Sequence, residues 1–114
     1  IDLPLLLDWP NRPRSKVNTE HGKPSLTRWQ ALHHDAASGV TRVLLEPVTG
    51  RSHQLRVHLQ AIGHPMVGDA LYAAPPPPDA AGDAAPRLML HATQLRFTHP
   101  ALGQECVFDS APPF

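Results

Sequence analysis

The chain has 114 residues, ten basic and ten acidic side chains and no formal net charge, which bounds it at one domain with a modest core. Its single cysteine, Cys106, excludes an internal disulfide framework. No apolar run approaches the roughly 18 residues of a membrane span, and no signal-peptide pattern is visible, so a soluble protein of a reducing compartment, the cytoplasm, is expected.

Residues 1–7 are Leu-rich and begin with Ile1 rather than Met. They predict a short strand or ordered entry segment, and suggest a piece of a longer protein. Residues 8–25 hold Pro10, Pro13 and Pro24 and the Gly22-Lys23-Pro24 turn. Proline removes backbone donors, so this is predicted to be an exposed loop or irregular ribbon. Arg12, Arg14 and Lys16 lie two apart and, on an extended backbone, project to one side. That row, with Lys23, suits a phosphate backbone, although a solvated basic loop would look the same. The charge is uneven: residues 10–60 carry eight Lys and Arg against three acids, and the rest two against seven. A basic half fits a polyanion, but an ordinary mixed surface accounts for the counts as well.

Residues 26–34 and 40–48 read as two antiparallel strands joined by a turn at 35–39, with Pro47 near a strand end or on an edge. A helix is predicted over 52–62. Ser52 is a suitable N-cap, Leu55, Leu59 and Ile62 share an apolar face, and Gly63 is a good C′ residue. His53, Arg56 and Gln60 share a second face. Arg56 lies between apolar turns, so it should be partly buried and need an anionic partner. Residues 66–72 suggest a turn, with Asp69 tying down Gly68. The Pro/Ala-rich segment 73–86 reads as a mobile surface loop. Residues 88–98 return to strand character, with Leu90, Leu95 and Phe97 as core candidates. A turn and a final strand over 104–109 close the chain. The pattern is α+β: a mostly antiparallel (mixed) sheet with one helix packed on it.

Eight histidines invite a metal reading, but His53 and His58 do not share a helical face, and His33 and His34 point oppositely in a strand. No metal site is expected. His53 reads instead as a polar neighbour of Arg56 or a capping side chain. Ser52 and Ser110 lie in no nucleophile elbow, and Gly50-Arg51-Ser52 is no phosphate loop.

Gly50-Arg51-Ser52-His53-Gln54-Leu55-Arg56-Val57-His58, followed by Gly63-His64-Pro65-Met66-Val67-Gly68-Asp69, resembles the signature of the RluA-type pseudouridine synthases. The likeness extends to Asp8–Val17, Gly22–Thr27, Leu88–Ala92 and Phe97–Pro100. It covers nearly the whole chain, but only the C-terminal half of a family member. The Asp8-Trp9-Pro10-Asn11-Arg12-Pro13 run resembles the subgroup that acts on both 23S rRNA and tRNA. The resemblance implies half of a catalytic domain that isomerises uridine in structured RNA without a cofactor, in a full-length form that is monomeric and away from membranes. It also implies that Arg56 pairs with the nucleophilic aspartate, that Leu90 lines the uracil pocket beside His53 and Arg51, and that the target nucleotide leaves its stack. For Leu90 a plain core role is equally open. The family's His-Arg-Leu-Asp motif is absent, and Tyr72 does not stand in the context of its active-site tyrosine. The chain alone is therefore expected to be inactive. A non-catalytic RNA-binding remnant of the same fold is the alternative.

Overall fold

A computed structural model describes residues 1–74 and 87–114. The predicted mobile loop at 73–86 falls almost wholly outside the described residues. Three antiparallel hairpins and one helix form the described chain. Strand β1 (Leu5–Leu7) pairs with β2 (Ser15–Val17), and β3 (Thr27–Asp35) with β4 (Val40–Pro47). Helix α1 (Gln54–Ala61) follows, and β5 (Gln94–Thr98) pairs with β6 (Glu105–Asp109).

The α+β architecture holds, with every described strand pair antiparallel. The strands form three two-stranded sheets, and single bridges, Asp2 to Leu26 and Leu5 to Lys23, link the chain around β1 to the segment leading into β3. Both bridges share one register, and that register sets Pro4 opposite Pro24. Those prolines fall at a non-hydrogen-bonded pair, so their missing N–H groups cost the ladder nothing. The rung that is lacking is Ser25 N–H to the Leu3 carbonyl, which faces His58 Nε2 instead. The predicted irregular ribbon at 8–25 contains a 3-10 turn at Trp9–Asn11 and strand β2.

The core is small. Leu5, Val57 and Tyr72 are buried together, with Val17 and Leu71 packed on them. The expected helix face is corrected: of Leu55, Leu59 and Ile62 only Leu59 is buried, and Ile62 is exposed. The helix instead turns Gln54, Val57 and His58 inward. The reason is a polar seam that the helix shares with the start of β3. Gln54 Nε2 donates to Thr27 Oγ1 at 3.0 Å, and Thr27 Oγ1 lies 2.8 Å from His58 Nδ1. His58 Nε2 lies 2.8 Å from the Leu3 carbonyl, which can only accept. The ring proton is thereby assigned to Nε2, and the Thr27 hydroxyl donates to Nδ1. No polar side-chain atom buried in the described residues lacks a partner, so burial of these groups is offset by hydrogen bonding.

Helix α1 ends as its sequence indicates. Gly63 adopts φ +86°, its N–H donates to the Gln60 carbonyl, and the His64 N–H reaches the Leu59 carbonyl. That pair of bonds is a Schellman motif. The last hairpin departs from expectation. Leu95 and Phe97 are exposed rather than core, because the hairpin carries them on a face that no described element covers. Phe97 and Phe108 stack there with centroids 5.9 Å apart. The strand begins at Gln94 rather than near residue 88, since the Met89 N–H is drawn to the Val67 carbonyl. No helix among the described residues is long and apolar enough to cross a membrane.

Candidate active site

The entry to helix α1 is built by side chains rather than by the predicted Ser52 cap. Gln54 Oε1 accepts from the Thr49 hydroxyl at 2.7 Å and from the Arg51 N–H at 3.0 Å. Gln54 Nε2 reaches back to the Leu26 carbonyl at 2.9 Å. This cross-bracing makes His53 the N-cap, in the left-handed region at φ 56°, ψ 21°. A non-glycine residue there costs on the order of 1 kcal/mol and persists only where its surroundings hold it. The His53 ring is held: its Nδ1 lies 2.7 Å from the Tyr72 hydroxyl, and the rings meet edge to face.

One turn along, Arg56 has the anionic partner its position demands. The partner within this chain is Asp69. Arg56 Nε donates to Oδ2 at 3.0 Å and Nη2 to Oδ1 at 2.6 Å. The Asp69 side chain is 0% exposed and that of Arg56 17%. Asp69 also ties down the turn, as its place after Gly68 suggests: Oδ1 accepts the Leu71 and Tyr72 N–H groups at 3.0 and 3.1 Å. The guanidinium lies 5.2 Å from the Tyr72 ring centroid, within cation–π range.

The electrostatics follow from this packing. Burial pushes the Asp69 carboxyl up, but hydrogen bonds from Arg56, Leu71 and Tyr72 outweigh it and leave the group below its ordinary pKa. The hydrogen bond to Asp69 raises Arg56 further. Burial, followed by the charge of Arg56, lowers His53 against the opposing pull of Asp69. Burial raises Tyr72. The site thus holds an ion pair, a neutral phenol and an imidazole biased toward its neutral form.

Of these groups, Arg56 and His53 open onto a cavity of about 420 Å³, lined also by Arg51, Pro47, Leu55, Leu88 and Leu90. Its walls are apolar with a few convergent polar groups, the usual make-up of a small-molecule or base pocket. Gly68 fixes one wall. It adopts φ +79°, and a Cβ there would collide with the Arg87 carbonyl oxygen. Close approach at Gly68 brings residues 87–90 against the turn, and Leu88 and Leu90 over the cavity.

The structure gathers Arg56, His53, Arg51 and Leu90 around this one cavity. Leu90 is half-buried on its wall rather than in a core. Arg51 also donates to the Pro24 carbonyl at 3.1 Å, which places the Lys23 turn beside the cavity rim. The basic loop is more divided than a single extended row. Arg12 stacks 3.9 Å from the centroid of Trp9, Arg14 Nε donates to the Leu71 carbonyl at 3.2 Å, and Lys16 lies 3.9 Å from Asp8. Arg12 and Pro13 lie in a turn closed by the Arg14 N–H to the Asn11 carbonyl, and only Lys16 is on strand β2, so the three do not share one extended segment. Among the described residues no three His, Cys, Asp or Glu side chains come together as a metal site would require.

Sequence reasoning left Asp69 with the turn alone and gave Tyr72 and Gln54 no part in the site. The Asp69–Arg56 contact spans 13 residues, beyond any helical or strand spacing rule, so periodicity carries no signal for it. The buried anion that Arg56 requires was the one available hint.

A family model described as RNA pseudouridylate synthase matches residues 1–61. The chain is 51% identical over all its 114 residues to the dual-specificity RNA pseudouridine synthase RluA of Escherichia coli K12, covering 50% of that protein. It is 52% identical to the protein of the same name from Yersinia pestis, covering 100% of this chain and 53% of that one. Against the RluA of Pasteurella multocida the identity is 52% over 113 residues, covering 99% of this chain and 49% of that one. Among solved structures, human RNA pseudouridylate synthase domain containing 1 superposes with a TM-score of 0.77 at 35% identity, covering 100% of this chain and 48% of that one. The chain spans about half the length of the curated relatives it matches.

Proposed function

The chain belongs to the RNA pseudouridylate synthase family, and we propose that it forms the C-terminal half of a catalytic domain that converts uridine to pseudouridine in structured RNA. The observation that carries this reading is the anchored Arg56. Asp69 occupies one edge of the guanidinium, through Nε and Nη2. Nη1 has no partner among the described residues, and Arg56 lines the cavity. An arginine has five N–H donors in a rigid fork, so a second edge is left to orient another carboxylate.

In the proposed enzyme that second carboxylate is the nucleophilic aspartate of the His-Arg-Leu-Asp motif, which is not in these 114 residues. Arg56 holds it ionised and aimed, ready to attack the flipped nucleotide. In the isomerisation the bond between C1′ and N1 breaks, the bond between C1′ and C5 forms, and the C5 proton is replaced by one on N1. No cofactor enters this balance. Leu55, Leu88 and Leu90 supply an apolar slot for the base. Arg51 and His53 meet its polar edge or the adjoining backbone. Arg12, Arg14, Lys16 and Lys23 contact phosphates, and the Trp9–Arg12 stack offers a flat face to an unpaired base.

The targets proposed are 23S rRNA and tRNA, supported by the dual-specificity name of the half-identical relatives and by the Asp8–Pro13 run. The protein acts as a monomer in the cytoplasm. The test is pseudouridine formation on 23S rRNA and tRNA transcripts, by the intact protein and by the 114-residue chain. The intact protein should form pseudouridine in both transcripts, and the chain alone in neither. Turnover by the chain alone, or none by the intact protein, would overturn the reading.

A further inference from the structure

His53 is held in a way its sequence does not foretell. The Ser15 N–H donates to the Tyr72 hydroxyl oxygen at 2.9 Å, and that hydroxyl lies 2.7 Å from His53 Nδ1. A phenol has one proton to give. Tyr72 is buried, and among the described residues Nδ1 is the acceptor its hydroxyl meets, so the proton points into Nδ1 rather than being left without a partner. Nδ1 is therefore an acceptor, and the single proton of a neutral imidazole sits on Nε2. Burial and the charge of Arg56 disfavour a second proton. Nε2 has no partner among the described residues, and His53 lines the cavity beside Arg56. The left-handed backbone at His53 is the strain that this placement requires.

We propose that the Ser15 N–H and the Tyr72 hydroxyl fix His53 as a neutral Nε2–H donor that reads a carbonyl oxygen of the pyrimidine base in the cavity. This rests on the pseudouridine synthase reading above. His53 touches the base, and Tyr72 is a positioning residue acting through it. A neutral donor suits a neutral carbonyl, whereas the adjacent Arg51 and Arg56 suit anions. The relay also gives specificity of a kind an apolar slot cannot. A base offering a donor at that place would meet the N–H head on, and the buried polar group would be left unpaired.

The test uses the intact enzyme. A long-range nitrogen–proton correlation spectrum should show the His53 ring as the Nε2–H tautomer, and in Tyr72→Phe that preference should weaken. An Nδ1–H tautomer in the wild type overturns the proposal without any variant. His53→Leu should lower kcat/KM about 10- to 100-fold. His53→Gln, whose amide nitrogen reaches the place of Nε2, should recover most of the loss. RNAs carrying 2-thiouridine or 4-thiouridine at the target then locate the contact, since sulfur is a poor acceptor. One of the two should slow the wild type and have little further effect on His53→Leu. Losses that simply multiply for both analogues would overturn the base contact. If wild type is active and Arg56→Ala is not, these outcomes judge His53 alone. If Arg56→Ala is fully active, the underlying reading fails instead.

Discussion

Replacing Asp69 with Asn tests the ion pair on which the site is built. The amide keeps the size of the side chain, and its oxygen can still accept from the Leu71 and Tyr72 N–H groups. It cannot satisfy Arg56 at both contacts. If the amide nitrogen takes the place of Oδ2, it faces the Nε–H of Arg56 donor to donor. One charge-assisted bond is lost, worth about 1.5–3 kcal/mol, and a largely buried guanidinium is stranded. Removing one partner of a fully buried pair costs about 3–5 kcal/mol; because Arg56 keeps 17% of its surface in water, about 2–4 kcal/mol is expected here. Urea unfolding of the intact enzyme measures it as a lower midpoint at unchanged slope. Asp69→Asn with Arg56→Met removes the stranded charge as well, so the double variant should be more stable than the sum of the two single losses. A stability loss under about 0.5 kcal/mol for Asp69→Asn, or strict additivity in the cycle, would refute the claim of a coupled buried pair.

Gly68→Ala should destabilise by at least about 1 kcal/mol, since φ +79° disfavours a side chain and the Cβ meets the Arg87 carbonyl. It should also raise KM for RNA by displacing Leu88 and Leu90, and unchanged kinetics would detach that wall from the site. Asp69 and His53 both have lowered folded pKa values, so the unfolded chain binds more protons and stability falls as pH falls. The His53 part is fully present above its unfolded value of about 6.5 and is lost below it, and the Asp69 part is lost below about 4. Urea midpoints from pH 7.5 to 5.5 should drop less steeply in His53→Gln than in wild type, and parallel slopes would contradict the assignment. Changing Arg12, Arg14 and Lys16 together to Ala should weaken RNA binding and flatten its salt dependence by up to about one unit of slope per lost contact. An unchanged slope would make this an ordinary basic loop.

Local signals in the sequence were dependable where the chemistry is local. Gly63 caps the helix through a positive φ that only its neighbours' hydrogen bonds determine, and the turn at Asp35–Gly39 joins the strands it was expected to join. Patterning failed where long-range polar contacts decide. The leucine stripe of α1 predicted Leu55 and Ile62 inside, yet Thr27 and the Leu3 carbonyl draw Gln54 and His58 inward. Ser52 is a good N-cap by type, but His53 holds that position, because Gln54 is tied back to the distant Leu26 carbonyl as well as to Thr49 and Arg51. Leu95 and Phe97 alternate as a half-buried strand should, and nothing in a hairpin's own sequence says whether another element covers it. For the candidate site, the resemblance singled out Arg56, His53, Arg51 and Leu90, and these four line one cavity. Asp69 as the ion-pair partner and Tyr72 as the support of His53 were not legible, because each is brought in by tertiary packing across a turn.

The central claim is that Arg56, anchored by Asp69, orients the nucleophile rather than the RNA backbone. The most direct measurement is the single-turnover rate at saturating RNA for Arg56→Lys and Arg56→Ala in the intact enzyme. Lysine keeps the charge beside Asp69 but loses the two-edged fork, so Arg56→Lys should be poorly active, and Arg56→Ala slower by at least about 100-fold than wild type. RNA affinity and its salt slope should change little in either. Near-normal rates together with weaker binding and a shallower salt slope would contradict the account and make Arg56 another phosphate contact.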